Sequence, residues 1–328
     1  MRRTTLFVAV LAGALLVPAG PASAHGGEGP DATAYRTEVT GLSPAEPGLS
    51  VRVVEAGARL ELVNGTGRTV EVLGYQEEPY LEVRPDGTYE NVNSPATYTN
   101  RTLDGDTPVP AGASPTAAPQ WRRVSTGTTV RWHDQRTRWL DDELPPQAQA
   151  DPSRSHRIND WVVPLRDGVR TIEVRGTLTW EPPPPAWLWW VGALALAAGL
   201  TALGRRHAWL PGPVALIAGT ITLGYAVTRM SLGAGGQTPA IVAALVTVAA
   251  GVLTLRGRTP FLLALAGALL TVFGGFADAG VFRQAVVAFP GPSWTARAAV
   301  LVAIGAGVAM AATGVLRLRA APLSSDHD

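Results

Sequence analysis

The chain has 328 residues and a formal net charge of +1, with 27 basic residues that are all arginine, and it contains no cysteine. The absence of cysteine excludes disulfides, thiolate metal sites and a cysteine nucleophile, and the absence of lysine excludes a phosphate-binding P-loop. Residues 25–182 carry 16 arginines against 23 acids, a net charge of −7. An acidic surface repels nucleic acid, so nucleic acid is not an expected partner.

Residues 1–24 are typical of a secretory signal peptide. Arg2 and Arg3 precede an apolar stretch at 6–17, and the small residues at 22–24 form a cleavage site. The alternative is an uncleaved anchor helix, for which the apolar stretch is short. Cleavage after Ala24 would make His25 the mature N-terminus, followed by a Gly-rich, flexible segment at 25–34.

Residues 35–181 show the pattern of short β-strands. Period-2 alternation or β-branched residues occur at 49–54, 59–63, 69–73 and 160–165, and Ile172, Val174, Leu178 and Trp180 alternate with polar residues. Long helical periodicity is absent. The pattern predicts an all-β, antiparallel domain, with an immunoglobulin-like sandwich as the expected class. Whether it forms one sandwich or two small sheets is left open.

Residues 186–319 contain five apolar runs without an acidic residue, an arginine or a histidine, at 186–204, 209–228, 239–255, 261–277 and 298–316. A helix needs about 20 residues, with a minimum of roughly 17, to cross a hydrocarbon core. Buried helices of a soluble protein would normally show a polar stripe, and these runs show none. They predict an all-α bundle of five transmembrane helices. The four prolines at 182–185 predict a stiff spacer of roughly 12 Å before it.

Arginine counting predicts the orientation. With 25–182 exported, six arginines follow the inward ends of the helices, and three (Arg229, Arg283 and Arg297) fall on the outer side. Positive charge collects on the cytoplasmic side, so we expect a multi-pass plasma-membrane protein with a cytoplasmic tail at 320–328. The inner loops are too short to hold a signalling domain. The lipid bilayer, and another membrane or envelope protein, are therefore the expected partners.

Asp278 is the sole acid of the membrane region. It follows the fourth run, so we expect it at the outer interface, where Arg283 is a candidate ion-pair partner. The alternative is a role in an ion or proton path, because intramembrane ionisable residues often line one.

The outer region offers candidate metal ligands in His25, His133, Asp134 and His156. A terminal amine and its own imidazole can chelate one ion, and nitrogen ligands of this kind suit copper(II). His133 ends a strand whose Val130 should point inward, so we expect His133 to point outward. The alternative for His133 is an ordinary surface hydrogen bond. Copper(II) titration of protein with and without one residue added before His25 tests the chelate.

Two aromatic and polar stretches carry a resemblance. The first runs from Glu78-Pro79-Tyr80-Leu81 through Asn91, Ser94-Pro95 and Tyr98 to Asn100, and the second is Trp132-His133-Asp134. They resemble segments of a group of actinobacterial membrane proteins without an established activity, so no site residues carry over. An exported β-domain with an N-terminal histidine, attached to membrane helices, also resembles copper-resistance proteins of the CopC type, and this resemblance implies copper as the ligand. One interpretation of the two aromatic and polar stretches is structural, in which they fill the core and anchor loops. The alternative interpretation is that they form a face that binds a ligand or a partner.

These observations favour a non-enzymatic, membrane-anchored binding or scaffold protein. The alternative is a component of a small-solute or metal-ion transport system that uses the bundle itself. A hydrolase is disfavoured, because no GxSxG elbow or paired nucleophile and base is visible in the sequence.

Overall fold

The computed structural model describes residues 32–232, 234–257 and 260–320. The predicted signal peptide, His25 with most of the segment 25–34, and tail positions 321–328 lie outside these ranges. Within them an antiparallel β region comes first and a helical region follows. The predicted order, an antiparallel β region followed by a helical region, is therefore confirmed.

The β region is built from short and medium strands, joined by turns and by two helical turns at Ala96–Thr99 and Pro146–Ala150. The described strands are β1 (Ala32–Thr33), β2 (Tyr35–Ser43), β3 (Leu49–Val54), β4 (Arg59–Asn64), β5 (Val70–Leu73), β6 (Pro79–Arg84), β7 (Gly87–Asn91), β8 (Trp121–Ser125), β9 (Thr129–Trp132), β10 (His156–Asp167), β11 (Arg170–Trp180) and β12 (Val286–Val287).

Two sheets share one core. Seven strands form a sheet in the order β2-β11-β10-β5-β6-β7-β8, and β3-β4-β9 form a three-stranded sheet. Leu60, Leu62 and Trp132 of the smaller sheet pack in one apolar cluster with Val72 and Val163 of the larger one. The expected immunoglobulin-like sandwich is not confirmed, because one sheet takes seven strands, the other takes three, and the sheets do not close.

The β10–β11 hairpin is the longest element of the large sheet. The alternation expected in β11 is confirmed, since Ile172, Val174 and Leu178 are fully buried and Trp180 is 2% exposed. Because side chains of a strand alternate between faces, this period-2 pattern places one face of the hairpin on the core. β2 pairs with one edge of the hairpin and β5 with the other.

The helical region has five helices that are long and apolar enough to cross a membrane, which indicates a multi-pass membrane protein. The fourth starts as an α-helix, then continues as a π-helix (Leu270–Gly275) and a 3-10 helix (Phe276–Phe282). The α-helices are α1 (Ala186–Arg206), α2 (Pro211–Ser231), α3 (Thr238–Leu255), α4 (Pro260–Leu269) and α5 (Ser293–Ala320).

The fifth helix is the centre of the bundle. Of the 18-residue apolar stretch of this helix, 61% is buried inside the protein, against 11% for the corresponding stretch of α1. Close packing comes from small residues: a Cβ added at Gly267 of α4 would lie 2.5 Å from the Gly307 carbonyl oxygen of α5. Small residues let helix backbones approach in lipid, where no hydrophobic force drives helices together.

The β region meets the bundle at a short ladder. β12 lies in the loop between the fourth and fifth helices, and it pairs with β1 in antiparallel register, Ala32 opposite Val287 and Thr33 opposite Val286. The proline spacer is therefore not the single link between the two regions. A loop of the bundle also forms a strand, β12, that pairs with the first described residues of the β region.

The β1–β12 ladder can be tested directly, because the chain contains no cysteine. We expect the pair Thr33→Cys and Val286→Cys to form a disulfide under mild oxidation, since Cα atoms of opposed antiparallel residues lie about 4.5–5.5 Å apart, within the range that a disulfide spans. The readout is a mobility shift on a non-reducing gel that a reductant reverses.

The matched control pairs Thr33→Cys with Val169→Cys, at the fully exposed distal tip of the β10–β11 hairpin. This pair should stay reduced within one molecule. Equal cross-linking of both pairs, or of neither, would contradict the ladder.

Candidate functional site

The two aromatic and polar stretches noted in the sequence converge in a buried polar network. Asp134 is fully buried and accepts hydrogen bonds from Trp132 Nε1 at 3.0 Å and from Arg136 Nε at 2.8 Å. Arg136 also donates to the carbonyl oxygen of Leu73 at 3.1 Å. The Asp134 carboxylate, through Arg136, therefore holds the end of β9 against the end of β5.

Glu78, at the start of the first stretch, is buried in the same way. Its Oε2 accepts from the Gln76 backbone N–H and its Oε1 from the Ser94 hydroxyl, both at 2.9 Å. Asn91 completes the connection, because its side-chain amide donates to the Pro79 carbonyl at 2.7 Å. Most of these hydrogen bonds join a side chain to the backbone, so this stretch anchors loops, as the structural interpretation predicted.

Tyr75 joins the two stretches. Its hydroxyl donates to Asn100 Oδ1 and accepts from the Gln135 backbone N–H at 3.0 Å, and the Arg136 guanidinium lies 5.0 Å from its ring centre. Burial raises the pKa of Tyr75 and that of Tyr80. Both phenols therefore stay protonated and act as neutral hydrogen-bonding groups.

His133 does not point outward as expected; it is 1% exposed. Its Nδ1 lies 2.8 Å from the Ala58 carbonyl oxygen, and its Nε2 lies 3.1 Å from Arg59 Nε. These partners require the neutral tautomer that donates from Nδ1 and accepts at Nε2. The Nε2 lone pair, which a metal ion would need, is directed at Arg59. β9 ends at Trp132, so His133 no longer follows the alternation of the strand, and it contacts Ala58 and Arg59, which follow the turn at 55–57.

His156 is separate from this network. It opens β10, its Nε2 lies 2.6 Å from the Asp151 carbonyl oxygen, and its ring lies 6.1 Å from that of Trp180. Among residues 32–232, 234–257 and 260–320, no group of three His, Cys, Asp or Glu side chains is placed to hold a metal ion. His25 lies outside the described residues, so its chelate stays a prediction.

In the bundle, Asp278 pairs with Arg229 and not with the expected Arg283. Arg229 NH1 lies 2.7 Å from Asp278 Oδ1, and the two side chains are 0% and 8% exposed. Two features explain the difference. Helix α2 extends past the predicted run, so Arg229 sits inside its last turn, and the π and 3-10 segments carry Asp278 toward it. Arg283 is exposed.

Arg297 is a second buried arginine that arginine counting had assigned to the outer surface. It is 8% exposed, and its guanidinium donates to the carbonyl oxygens of Val281 at 3.0 Å, Gln284 at 2.9 Å and Ala285 at 2.8 Å. These three acceptors lie in the segment that leads into β12. One side chain of α5 therefore fixes the loop on which the β region rests.

A cavity of about 270 Å³ opens where the two regions meet. One of its lining residues, Gln284, comes from the bundle loop, and the others come from the β region. They are Thr33, Ala34, Tyr35, Thr37, Ala56, Gly57, Ala58, Leu103, Arg138, Trp139 and Leu178. Both apolar and polar side chains therefore face it, which is typical of small-molecule sites.

One wall of this cavity has unusual backbone geometry. Glu55, Ala56 and Gly57 have φ values of 55°, 54° and 97°, in the left-handed region that residues with a Cβ rarely adopt. Glu55 is held by Arg59, whose NH1 lies 3.2 Å from its carboxylate, and Arg59 in turn contacts His133. The buried histidine therefore supports the cavity wall, a role that nothing in its local sequence indicated.

Scans against models of protein families, against curated proteins and against solved structures found no match for this chain.

The polar network predicts a large effect of one substitution. Asp134→Ala leaves the Arg136 guanidinium buried without its carboxylate, so we expect the free energy of unfolding to fall by about 3–5 kcal/mol. Denaturant unfolding of the purified full-length protein, followed by tryptophan fluorescence, measures the change.

Asp160→Ala is the matched control, because Asp160 is also paired with an arginine, Arg157, but its side chain is 66% exposed. Exposed ion pairs contribute about 0–1 kcal/mol. A loss for Asp134→Ala no larger than that of the control would refute the proposed anchoring role.

Proposed function

We propose that the chain is a membrane-anchored, non-enzymatic binding protein, and that its ligand occupies the cavity between the β region and the bundle loop. The observation that carries this proposal is the cavity itself. It is lined from both regions, its loop side is fixed by Arg297, and its other side is a strained turn supported by buried charges. Strained backbone persists where surrounding structure over-determines it, which is common at ligand sites.

The buried polar network supports binding more than catalysis. The carboxylates of Asp134 and Glu78 and the imidazole of His133 are each engaged by internal donors or acceptors. Groups that act as a general base need access to a substrate proton. In this chain those groups serve instead to hold loops and walls in position.

The same contacts support the proposed orientation, with the β region outside the cell and the C-terminus in the cytoplasm. Of the three arginines assigned to the outer side, Arg229 and Arg297 are buried and engaged in internal contacts, and Arg283 is exposed. On the other side, Arg205, Arg206 and Arg256 are exposed. The exposed positive charge is therefore more asymmetric than the sequence count, in the direction of the positive-inside rule.

Single cysteines test this orientation. We expect Val169→Cys, at the hairpin tip, to react with a membrane-impermeant maleimide on intact cells or on cells stripped of their outer layers. Ala208→Cys, in the exposed loop between α1 and α2, should react after the membrane is permeabilised. The opposite labelling pattern would show that the topology is inverted, and it would contradict the proposal that the ligand binds outside the cell.

Copper(II) binding through a mature N-terminal His25 stays a separate prediction of the sequence. Among the described histidines, His133 cannot add to such a site without losing its contact with Arg59. The cavity proposal does not depend on it.

The proposed function is tested by filling the cavity. We expect small molecules drawn from neutral, anionic and cationic sets to raise the thermal midpoint of the wild-type protein in nanodiscs. Leu103→Trp, in the β-region loop that lines the cavity, should abolish those shifts because the larger side chain occupies the space. Loop residue Val109, 44% exposed and outside the cavity lining, provides the control Val109→Trp.

Shifts that survive Leu103→Trp, or a complete lack of shifts in the wild type, would overturn the proposal. The Val109→Trp control should keep the wild-type response, which separates cavity filling from a general effect of added tryptophan.

A further inference from the structure

One of the residues that line the cavity between the two regions, Arg138, has an incomplete set of internal partners. Its side chain is 20% exposed, and across the described ranges its NH1 is buried with no hydrogen-bond partner. A guanidinium carries five N–H donors in a fixed plane. A buried donor that is left unsatisfied is costly, so native structures usually supply an acceptor.

The nearest internal acid does not satisfy this arginine. Asp104 lies 3.9 Å from Arg138 NH2, at the limit of an ion pair, and its side chain is 82% exposed. Burial lowers the pKa of Arg138, and the charge of Asp104 opposes that shift. The guanidinium is thus a partly desolvated cation with an incomplete partner, next to an open space.

The other lining residues limit the chemistry of the ligand. Leu103 and the ring of Trp139 supply apolar surface, and Tyr35 and Gln284 supply polar groups. A volume of about 270 Å³ has room for about nine groups the size of a water molecule, at about 30 Å³ each. A ligand of roughly that many heavy atoms fits.

The other charges near the cavity are already balanced. Glu55, in the strained wall, has Arg59 NH1 at 3.2 Å and Arg131 NH1 at 3.8 Å from its carboxylate. Arg138 is therefore the cation of this lining that an incoming anion would meet. A dianion such as phosphate would bring a second, uncompensated charge into a poorly solvated space, whereas a monocarboxylate matches one guanidinium and can bind it with two parallel hydrogen bonds.

We propose that this cavity binds a small monocarboxylate with an apolar body, with its carboxylate on Arg138 and its body against Leu103 and Trp139. The inference rests on the proposed binding function and gives its ligand a chemical class. Arg138 follows β9 and the turn that Asp134 anchors, so the network formed by the two aromatic and polar stretches sets the position of the guanidinium.

The test uses the full-length protein in nanodiscs and isothermal titration calorimetry with sodium benzoate and sodium hexanoate as probes. Benzamide, a neutral molecule of the same shape as benzoate, and inorganic phosphate are the comparison ligands. We expect at least one carboxylate to bind at least tenfold more tightly than benzamide, and phosphate to bind more weakly than that carboxylate.

Arg138→Met should weaken carboxylate binding by about tenfold to a hundredfold, the range for a lost hydrogen bond to a charged group. It should leave benzamide binding unchanged. Arg154→Met is the matched control, because the side chain of Arg154 is 82% exposed and outside the cavity lining. It should keep the wild-type affinities.

Leu103→Trp keeps the inference testable if Arg138→Met does not fold, since it preserves the guanidinium and removes the space. Carboxylate binding that survives this change overturns the inference. So do equal affinities for benzoate and benzamide, tighter binding of phosphate, or full affinity in a folded Arg138→Met protein.

The two proposals can fail separately. If neutral or cationic molecules bind in a way that Leu103→Trp abolishes, and carboxylates do not bind, the ligand class is wrong and the binding function stands. If no molecule of any charge binds, both are wrong.

Discussion

The junction of the two regions depends on the hydrogen bonds that the Arg297 guanidinium donates to the segment before β12. An arginine inside a membrane helix is expensive unless its donors are satisfied. Here three backbone carbonyls accept its hydrogen bonds, one in the last turn of the fourth helix and two between that helix and β12. The cost of burying the charge is thus offset by bonds that fix an otherwise irregular loop. That loop carries Gln284 into the cavity lining and β12 into the ladder with β1.

The opposite side of the cavity is held by a second set of buried charges. His133 contacts the carbonyl of Ala58 and the guanidinium of Arg59, and Arg59 holds Glu55 at the left-handed turn. A residue with a Cβ adopts a positive φ when its surroundings leave it no alternative. The run Trp132-His133-Asp134 therefore stabilises two separate parts of the cavity lining. Its aspartate anchors the segment that leads to Arg138, and its histidine holds the turn across from it.

The sequence predicted what local periodicity determines. The five spans and the inward face of Ile172, Val174 and Leu178 follow from spacing along one segment, and the structure has them. The seven-and-three division of strands, the partner of Asp278 and the burial of His133 depend on residues that are distant in the chain. No single stretch of sequence contains that information. The cavity is the extreme case, because it is assembled from separate stretches of the β region and one residue more than 100 positions later.

The buried pair of Arg229 and Asp278 bears on where function should be sought. A transport path would need ionisable groups that contact water or a solute at membrane depth. The described pair joins the last turn of α2 to the irregular end of the fourth helix, at 2.7 Å, with the guanidinium at 0% exposure. Tyr225, one turn earlier on α2, lies beside the guanidinium, its hydroxyl 3.4 Å from NH1. These contacts join α2 to the last turns of the fourth helix, which lead into β12. The acid that the sequence offered as a candidate for an ion path is therefore paired with an arginine of a neighbouring helix, close in the chain to the loop that Arg297 holds.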